Sequence, residues 1–152
     1  MIEDFLEQYI NKSNILQLAT SADNQPWVVT VHYFADQEFN LYWTSKPDRR
    51  HSKEIILNPK VSATILVHEN TPSEDWVIGI TVSGEARQVE SIDSKIAEAY
   101  IKKLLKDPDL PANITNGTDP AKWYVLKPLS LILFDSKDFP TQPRQEWTPA
   151  AA

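Results

Sequence analysis

The segment Trp27-Val28-Val29-Thr30-Val31-His32-Tyr33-Phe34 decides the fold class, because β-branched and aromatic residues fill most of it. That composition is typical of a β-strand. Two further strand-like segments lie on either side of it, at residues 15–20 and 39–44. Only short polar turns separate the three segments, and such turns are too short for a crossover helix. The region therefore predicts an antiparallel meander rather than βαβ units.

The remaining sequence adds strands and three helices. Apolar spacing predicts helices at residues 2–12 and 93–106. A cap at Asp48 and a stop at Asn58-Pro59 predict another at residues 49–57. Further strands are predicted at residues 61–67, 76–90, 123–126 and 129–134. Gly79 and Gly84 are predicted bulge or bend positions. The pattern favours a mainly β protein with α additions, built as a small, mostly antiparallel barrel.

We expect one domain, covering residues 1–137, followed by a C-terminal tail at residues 138–152. The tail contains prolines and shows no periodicity. It is predicted either to be disordered or to dock on a partner subunit through Trp147. Neither reading is favoured decisively by the sequence.

Composition excludes several classes of protein. The chain has 152 residues with a net charge of −6, no cysteine and three glycines. Cysteine-based zinc sites, disulfides and iron–sulfur clusters are therefore impossible, and the glycine-rich loops of Rossmann and P-loop proteins cannot be built. A sequence pI near 5.0 argues against nucleic acid as a partner. The sequence shows no secretory signal and no long apolar run, so we expect a cytoplasmic protein without a membrane span.

A basic island stands out at residues 46–53 of this acidic chain. Its four basic residues and one aspartate give +3, and Arg49, Arg50 and His51 fall at the predicted start of the second helix. Cations there oppose the helix dipole, whereas a bound anion would use both the charges and the free N–H groups. Thr44 and Ser45 add hydroxyl donors just before. The pattern indicates a phosphate site, or alternatively a solvated basic turn with surface ion pairs.

The strands that lead into this island are rich in aromatic and aliphatic side chains. A planar-ring platform beside a phosphate grip suits a flavin mononucleotide, FMN. The alternative is that Trp27, Tyr33, Phe34, Tyr42 and Trp43 are ordinary core and sheet residues.

Several short motifs, in this order, resemble the pyridoxamine 5′-phosphate oxidase-like, FMN-binding split-barrel family. They are Leu18-Ala19-Thr20, Gln25-Pro26-Trp27-Val28, Leu41-Tyr42-Trp43-Thr44-Ser45, Arg50-His51-Ser52-Lys53, Asn58-Pro59-Lys60-Val61, Val82-Ser83-Gly84-Glu85-Ala86 and Val125-Leu126-Lys127-Pro128. The resemblance implies a six-stranded antiparallel split barrel, and a homodimer with FMN at the subunit interface.

The resemblance also implies roles for particular residues. The strand residues Trp27, Val28, Val29 and Thr30 would line the isoalloxazine ring, largely through their backbone. The hydroxyls of Thr44 and Ser45 would contact the ribityl chain and the phosphate. The phosphate grip would fall to Arg50, His51 and Lys53.

Two departures separate this chain from the vitamin B6 oxidases of that family. Those enzymes commonly begin the flavin-contacting strand with Arg and end it with Lys, but residues 27–31 contain neither. They also carry an Arg-x-His pair near the C-terminus, whereas no histidine follows His68. The chain is therefore more similar to the general stress protein-like or uncharacterised branch. We expect a small FMN-dependent oxidoreductase that acts on a small-molecule substrate, with no catalytic residue identified.

Three alternatives remain open from the sequence. The same barrel would suit a deazaflavin-dependent reductase, or a non-catalytic carrier or sensor of flavin. It would also suit a haem-binding protein with His51 or His68 as the axial ligand, although no motif supports either residue. The spacing of His32, His51 and His68 matches no metal motif, so no metal site is predicted.

Overall fold

A computed structural model describes residues 1–67 and 76–150 of the chain. The described residues form eight strands and four helices, and all the strands belong to one curled antiparallel sheet. The strands are β1 (Ile15–Ala22), β2 (Gln25–His32), β3 (Phe34–Ala35), β4 (Leu41–Ser45), β5 (Lys60–Leu66), β6 (Ile78–Val89), β7 (Lys122–Asp135) and β8 (Arg144–Trp147). The helices are α1 (Ile2–Lys12), α2 (Arg50–Leu57), α3 (Ser94–Leu104) and α4 (Leu110–Asn116).

The sheet has the order β2-β1-β5-β6-β7-β4-β3, with β8 added on β7. Its six longer strands correspond to the predicted six-stranded split barrel, and β3 and β8 are short additions of two and four residues. The predicted fold class, a mainly β split barrel with helical additions, is therefore confirmed. The strand β4 pairs with β7, from Leu41 opposite Leu126 to Ser45 opposite Lys122. The strand β2 pairs with β1 alone and so forms one edge of the sheet. The predicted antiparallel meander is therefore wrong at its third strand, because β4 pairs with β7 and β3 instead of with β2.

The predicted break between two C-terminal strands, at Lys127 and Pro128, is wrong. Strand β7 runs continuously from Lys122 to Asp135, and its pairing with β6 shifts register between Ser83 and Gly84. Proline is tolerated in a strand at such a bulge, because the ladder there already lacks a regular hydrogen bond. A Cβ on Gly84 would collide with the carbonyl of Lys127. The predicted bulge at Gly84 is therefore confirmed, with close backbone approach as its cause.

The three predicted helices are present with small changes at their ends. The predicted Asp48 cap of α2 is wrong, because the N-cap residue is Arg49 and no side chain caps the helix. An additional helix, α4, lies in the proline-containing segment after α3, to which the sequence analysis assigned no helix. It has a proline in its first turn, where the missing N–H costs nothing, and it ends at Gly117 with φ of +80°.

Two apolar clusters hold the helices against the sheet. The larger one fills the barrel, and Leu16, Leu18, Trp43 and Ile65 are among its fully buried members. The smaller one packs α3 and α4 against the start of β7, around Trp123. The ring of Tyr100 meets that of Trp123 edge-on, with centroids 5.0 Å apart. This second cluster fixes α3 beside β4 and so determines which side chains reach the site described below.

Part of the predicted C-terminal tail is ordered on its own chain. Residues Arg144–Trp147 form β8 against β7, and the indole of Trp147 packs edge-on against Phe39, with centroids 5.0 Å apart. Residues 144–147 thus pair with their own chain, and disorder of the tail or its docking on a partner subunit stays a prediction. The polar loop predicted at residues 69–75, together with His68, lies outside the described residues.

Candidate functional site

A cavity of about 500 Å³ opens where α2 begins, and we term it the basic cavity. Strand β2 forms one wall, the end of β4 and the start of α2 form another, and α3 with the residues after it closes the far end. Its lining residues are Trp27, Val29, Thr30, Val31, His32, Thr44, Ser45, Lys46, Arg49, Arg50, His51, Tyr100 and Lys106.

The lining of the basic cavity has one sign of charge. Lys46, Arg49, Arg50 and Lys106 contribute four cations, and no aspartate or glutamate is found among its lining residues. The whole chain nevertheless carries −6. A cavity walled by one sign of charge concentrates ligands of the other sign. The basic cavity is therefore suited to an anionic ligand.

The start of α2 strengthens this preference for anions. No side chain caps the helix, and its first turn contains no acidic residue. The first intrahelical bond runs from the Lys53 N–H to the Arg49 carbonyl, over 3.0 Å, so the N–H groups before it have no partner within the helix. These groups and the positive end of the helix dipole lie beside the cations of the cavity. An anion bound at this point would accept hydrogen bonds from the free N–H groups and would offset the charge of the cations.

His51 joins the helix to the end of β4. Its ring is buried, and its Nε2 lies 2.9 Å from the Ser45 hydroxyl oxygen. Burial, and next the nearby charge of Arg49, lower the pKa of His51 below its ordinary value. The imidazole is therefore neutral at pH 7, and in the absence of a ligand it acts as a hydrogen-bonding group. A bound anion would favour its charged form.

Arg50 is held by a carboxylate that lies behind the cavity wall. Its Nε donates to the Glu54 Oε2 over 2.8 Å, and the Thr20 hydroxyl donates to the Glu54 Oε1 over 2.8 Å. Glu54 is buried, and the hydrogen bond from Arg50 is the main reason that its pKa lies below the ordinary value. The guanidinium also stacks over the Trp27 ring, 4.1 Å from the centroid. The terminal nitrogens of Arg50 make no hydrogen bond within the described part of the chain and are available to a ligand.

The far end of the basic cavity carries groups that the sequence analysis did not assign to a site. The Nζ of Lys106 lies 3.1 Å from the Nδ1 of His32, and the hydroxyls of Tyr100 and Thr44 lie 3.2 Å apart. Burial, then the charge of Lys106, lower the pKa of His32. Lys106 and Tyr100 come from the α3 region, some sixty residues along the chain from Thr44. No local motif signals them, since only tertiary packing brings them here.

The structure brings together seven of the nine predicted cofactor-binding residues. Trp27, Val29, Thr30, Thr44, Ser45, Arg50 and His51 all line the basic cavity. Val28 does not line it, and Lys53 borders a neighbouring cavity of about 440 Å³ that shares only Arg50 with it. Lys46 and Arg49, which the sequence analysis counted as charges only, are lining residues as well. Contact of any of these residues with a cofactor stays a prediction.

The edge strand β2 exposes apolar side chains to solvent. Val28 is 61% exposed and Trp27 is 40% exposed, and neither belongs to an apolar core cluster. The outer edge of β2 has no strand partner among the described residues. Exposed apolar side chains on an unpaired edge are typical of a surface that another chain covers.

Among the residues that the structure describes, no helix is long and apolar enough to cross a membrane.

Comparisons with known proteins agree on the fold. A family model, pyridoxamine 5′-phosphate oxidase, matches residues 2–132. No curated protein matches the sequence. A conserved hypothetical protein from Mycobacterium tuberculosis has a TM-score of 0.73 at 15% identity, over 100% of this chain and 93% of that one. The haem storage protein HutZ from Vibrio cholerae has a TM-score of 0.62 at 18% identity, over 83% and 89%.

A FAD-binding protein from Mesorhizobium loti is also similar, with a TM-score of 0.61 at 16% identity, over 84% of this chain and 87% of that one. At these identities the three likenesses concern the fold. The family model covers most of the sequence, and its expected split barrel is the one observed. The chain therefore belongs to the pyridoxamine 5′-phosphate oxidase family.

Proposed function

We propose that the protein binds FMN in the basic cavity and works as a small flavin-dependent oxidoreductase. The observation that carries the proposal is a cavity with four lining cations, no lining carboxylate and an uncapped helix N-terminus. These features together fit a phosphate monoester. The family and a FAD-binding protein of similar fold add support. FMN would supply electron and hydride transfer, and hydride transfer in particular requires a cofactor.

The residues present divide into a phosphate end and a ring wall. At the start of α2, the free N–H groups and the side chains of Ser45, Arg50 and His51 would hold the phosphate. Along β2, the half-buried Val29 and Val31 offer an apolar wall, and Trp27 lies at its edge beside Arg50. The cavity volume of about 500 Å³ falls within the roughly 300–1,000 Å³ of small-molecule sites.

A homodimer is part of this proposal. The unpaired, apolar edge of β2 borders the basic cavity, so a second subunit that covers β2 would also shield a ring lying against it. Water exclusion of this kind strengthens the electrostatic interactions within a site. We place the cofactor at the subunit interface for this reason.

The small-molecule substrate is assigned to the far end of the basic cavity. Lys106 provides a cation there, and His32 and Tyr100 provide groups that exchange protons. Because its pKa is lowered, His32 is neutral at pH 7 and able to accept a proton. A substrate with an anionic group would be held by Lys106 while His32 faces its reacting part.

The first test is the visible spectrum of the purified protein, followed by titration with FMN and with riboflavin. We expect a bound flavin spectrum, or saturable FMN uptake with riboflavin bound at least tenfold more weakly, because riboflavin lacks the phosphate. Equal affinity for the two flavins would show that the cations do not hold a phosphate. A colourless protein that takes up neither flavin would overturn the proposal. For the dimer, Val28→Lys should lower the sedimentation coefficient, because it places a charge on the exposed apolar edge of β2.

Haem is the second candidate ligand, and one observation favours it. His32 and His51 both line the basic cavity as neutral imidazoles, which is the form that binds iron, and cations there would suit propionates. A haem storage protein shares the fold. A Soret band on haem addition that His51→Gln or His32→Gln abolishes would support haem over flavin. A deazaflavin would use the same phosphate end, and its distinct spectrum separates it from FMN.

A further inference from the structure

A second and larger cavity, of about 1180 Å³, shares no lining residue with the basic cavity, and we term it the acidic groove. It is bordered by α1, by β3 and the turn after it, by the start of α3 and by Trp147 of β8. Its volume exceeds the roughly 300–1,000 Å³ of pockets for drug-sized molecules. The proposed cofactor binding makes no use of it.

The inner surface of the acidic groove is apolar. Ile10 and Phe39 are buried at its base, whereas Phe34, Ile96 and Trp147 are half-buried and present part of their surface to it. The indole of Trp147 stands edge-on to Phe39, which fixes its orientation. Aromatic surface of this kind packs against aliphatic side chains and attracts cations to its faces.

The rim of the acidic groove has the opposite sign of charge to the basic cavity. Its lining residues include five carboxylates against the ammonium of Lys95, a formal charge of −4. The carboxylates belong to Glu3, Glu7, Asp36, Glu38 and Asp93. They come from α1, from the turn after β3 and from the cap of α3, so no single small cation would meet all of them.

Two of the five carboxylates, those of Glu7 and Glu38, make no polar contact that stabilises the fold, whereas Asp36 and Asp93 do. Asp36 accepts hydrogen bonds from Asn40 and Tyr42, and Asp93 caps α3 by accepting from the Lys95 N–H. The side chains of Glu7 and Glu38 make no hydrogen bond or ion pair within the described part of the chain. Both are exposed at the rim of an apolar surface.

We propose that the acidic groove binds a peptide segment of a partner protein in which lysine or arginine side chains flank apolar ones. Charge complementarity selects the basic residues, and the half-buried aromatic and aliphatic surface selects the apolar ones. The volume and the spread of the carboxylates over three elements favour an extended segment over a single small amine. This proposal does not depend on FMN binding.

The test uses three short fluorescein-labelled peptides of equal length with the full chain. One contains lysine and leucine, one lysine and serine, and one glutamate and leucine. We expect the lysine–leucine peptide to bind at least tenfold more tightly than either of the others, because charge and apolar contact are both required. Equal binding of the lysine–serine peptide would show that only the net charge attracts the peptide and that apolar contact contributes nothing, which would overturn the proposal.

Two matched pairs of variants distinguish binding in the acidic groove from attraction by the overall negative charge of the chain. Glu7→Gln with Glu38→Gln removes two rim charges, and Glu85→Gln with Glu98→Gln removes two exposed charges elsewhere. The first pair should weaken the lysine–leucine peptide about tenfold, and the second pair less than twofold. Equal weakening by both pairs would overturn the proposal. All four positions are exposed, so folding is not at risk.

The indole N–H resonance of Trp147 gives a direct readout of occupancy, and Trp147→Phe identifies it. We expect the lysine–leucine peptide to shift this resonance and to leave that of Trp123, in the other apolar cluster, unchanged. An unmoved Trp147 resonance at saturation would overturn the proposal. Displacement of the peptide by phenethylamine at comparable concentration would assign the groove to a small amine instead. Self-association lost in the Glu7→Gln, Glu38→Gln variant would assign it to a second copy.

Discussion

The basic cavity and the acidic groove lie on one small barrel and carry opposite charges. Four cations and no carboxylate line the basic cavity, whereas five carboxylates and one ammonium line the acidic groove. The net charge of −6 describes neither region. The comparison teaches that the distribution of charge over the fold, rather than its sum, indicates the partners of the chain.

The two regions also differ in what their charges do to the fold. In the acidic groove, Asp93 caps α3 and Glu3 lies in the first turn of α1, where negative charge is favoured by the helix dipole. In the basic cavity, Arg49 and Arg50 lie at the start of α2, where positive charge is disfavoured. Asp93 and Glu3 therefore stabilise the helices of the ligand-free fold. Arg49 and Arg50 oppose the dipole of α2 until an anion binds, although Arg50 also pairs with Glu54 in the ligand-free fold.

The largest expected effect tests the anion end of the basic cavity. Arg50→Ala with His51→Ala should weaken FMN about a hundredfold, because two charge-assisted hydrogen bonds to phosphate are lost. Riboflavin binding should change less than threefold. Fluorescence quenching on flavin titration measures both affinities.

Lys53→Ala is the matched control, since it removes a cation from the same helix that borders only the neighbouring cavity. We expect it to change FMN affinity less than threefold. A loss as large as that of the double variant would mean that net charge on α2, and not the lining of the basic cavity, determines binding.

A second prediction concerns the carboxylate behind the basic cavity. Glu54→Gln should lower the free energy of unfolding by about 1–2 kcal/mol at pH 7, because the buried carboxylate accepts from both Arg50 and Thr20. Arg50 is partly exposed, so the loss lies below that of a fully buried pair. Urea denaturation measures it, and Glu85→Gln, at an exposed position of β6, should change the value by less than about 0.5 kcal/mol.

The same variant has a defined pH dependence. The pKa of Glu54 is lowered in the folded protein, chiefly by the hydrogen bond from Arg50. Its contribution is therefore present above the ordinary carboxylate pKa and is lost as the pH falls through the lowered value. The stability difference between wild type and Glu54→Gln should shrink below about pH 4. A difference that stays constant down to pH 3 would show that the charge of Glu54 is not responsible.

A third, smaller effect concerns His51, which is neutral at pH 7 because its pKa is lowered. A bound phosphate would raise that pKa, so FMN binding takes up a proton. The ratio of wild-type affinity to His51→Gln affinity should then rise severalfold between about pH 7 and pH 5.5. Using the ratio cancels the titration of the phosphate itself. His32→Gln, at the other end of the cavity, should leave this pH dependence intact.

The smallest effect concerns the stacking of Arg50 on Trp27. Trp27→Phe keeps an aromatic ring but weakens the cation–π contact, and the site is partly exposed. We expect a loss of no more than about 0.5 kcal/mol in stability, and FMN affinity lowered less than threefold. A tenfold loss of FMN affinity with riboflavin unchanged would indicate that Trp27 orients Arg50 toward the phosphate.

The fold was predictable where local sequence determines local structure. The β-branched and aromatic composition of residues 27–34 correctly predicted a strand, although β2 ends at His32, and Gly84 marked the bulge. The predicted strand break at Pro128 was wrong, because proline is excluded only from regular ladder positions. The sequence could not show that the bulge at Gly84 lies opposite Pro128, since this depends on the pairing of β6 with β7. The helix α4 was not predicted because Pro111 lies within it and proline breaks most helices, although proline fits the first turn of a helix.

The candidate site was predictable only in its contiguous part. Ser45, Arg50 and His51 are close in sequence, so a strand end followed by a helix start places them together. Tyr100 and Lys106 reach the cavity because the cluster around Trp123 holds α3 beside β4, which is a tertiary contact without a local signal. The sequence could not show that Lys53 borders the neighbouring cavity instead of the basic cavity. This depends on which face of α2 packs against the sheet.

The pairing of β4 with β7 has a consequence for how the protein is made. Thr44 and Ser45 stand on a strand whose long neighbour, β7, begins only at Lys122, while its other neighbour is the two-residue β3. During synthesis, the basic residues emerge from the ribosome well before the strand that fixes their framework. The cavity is thus completed only once β7 has been synthesised. When segments are exchanged between homologous proteins, β4 and β7 should therefore be transferred together. If only one of them is transferred, it has to pair with a strand of the other protein, for which it is not matched.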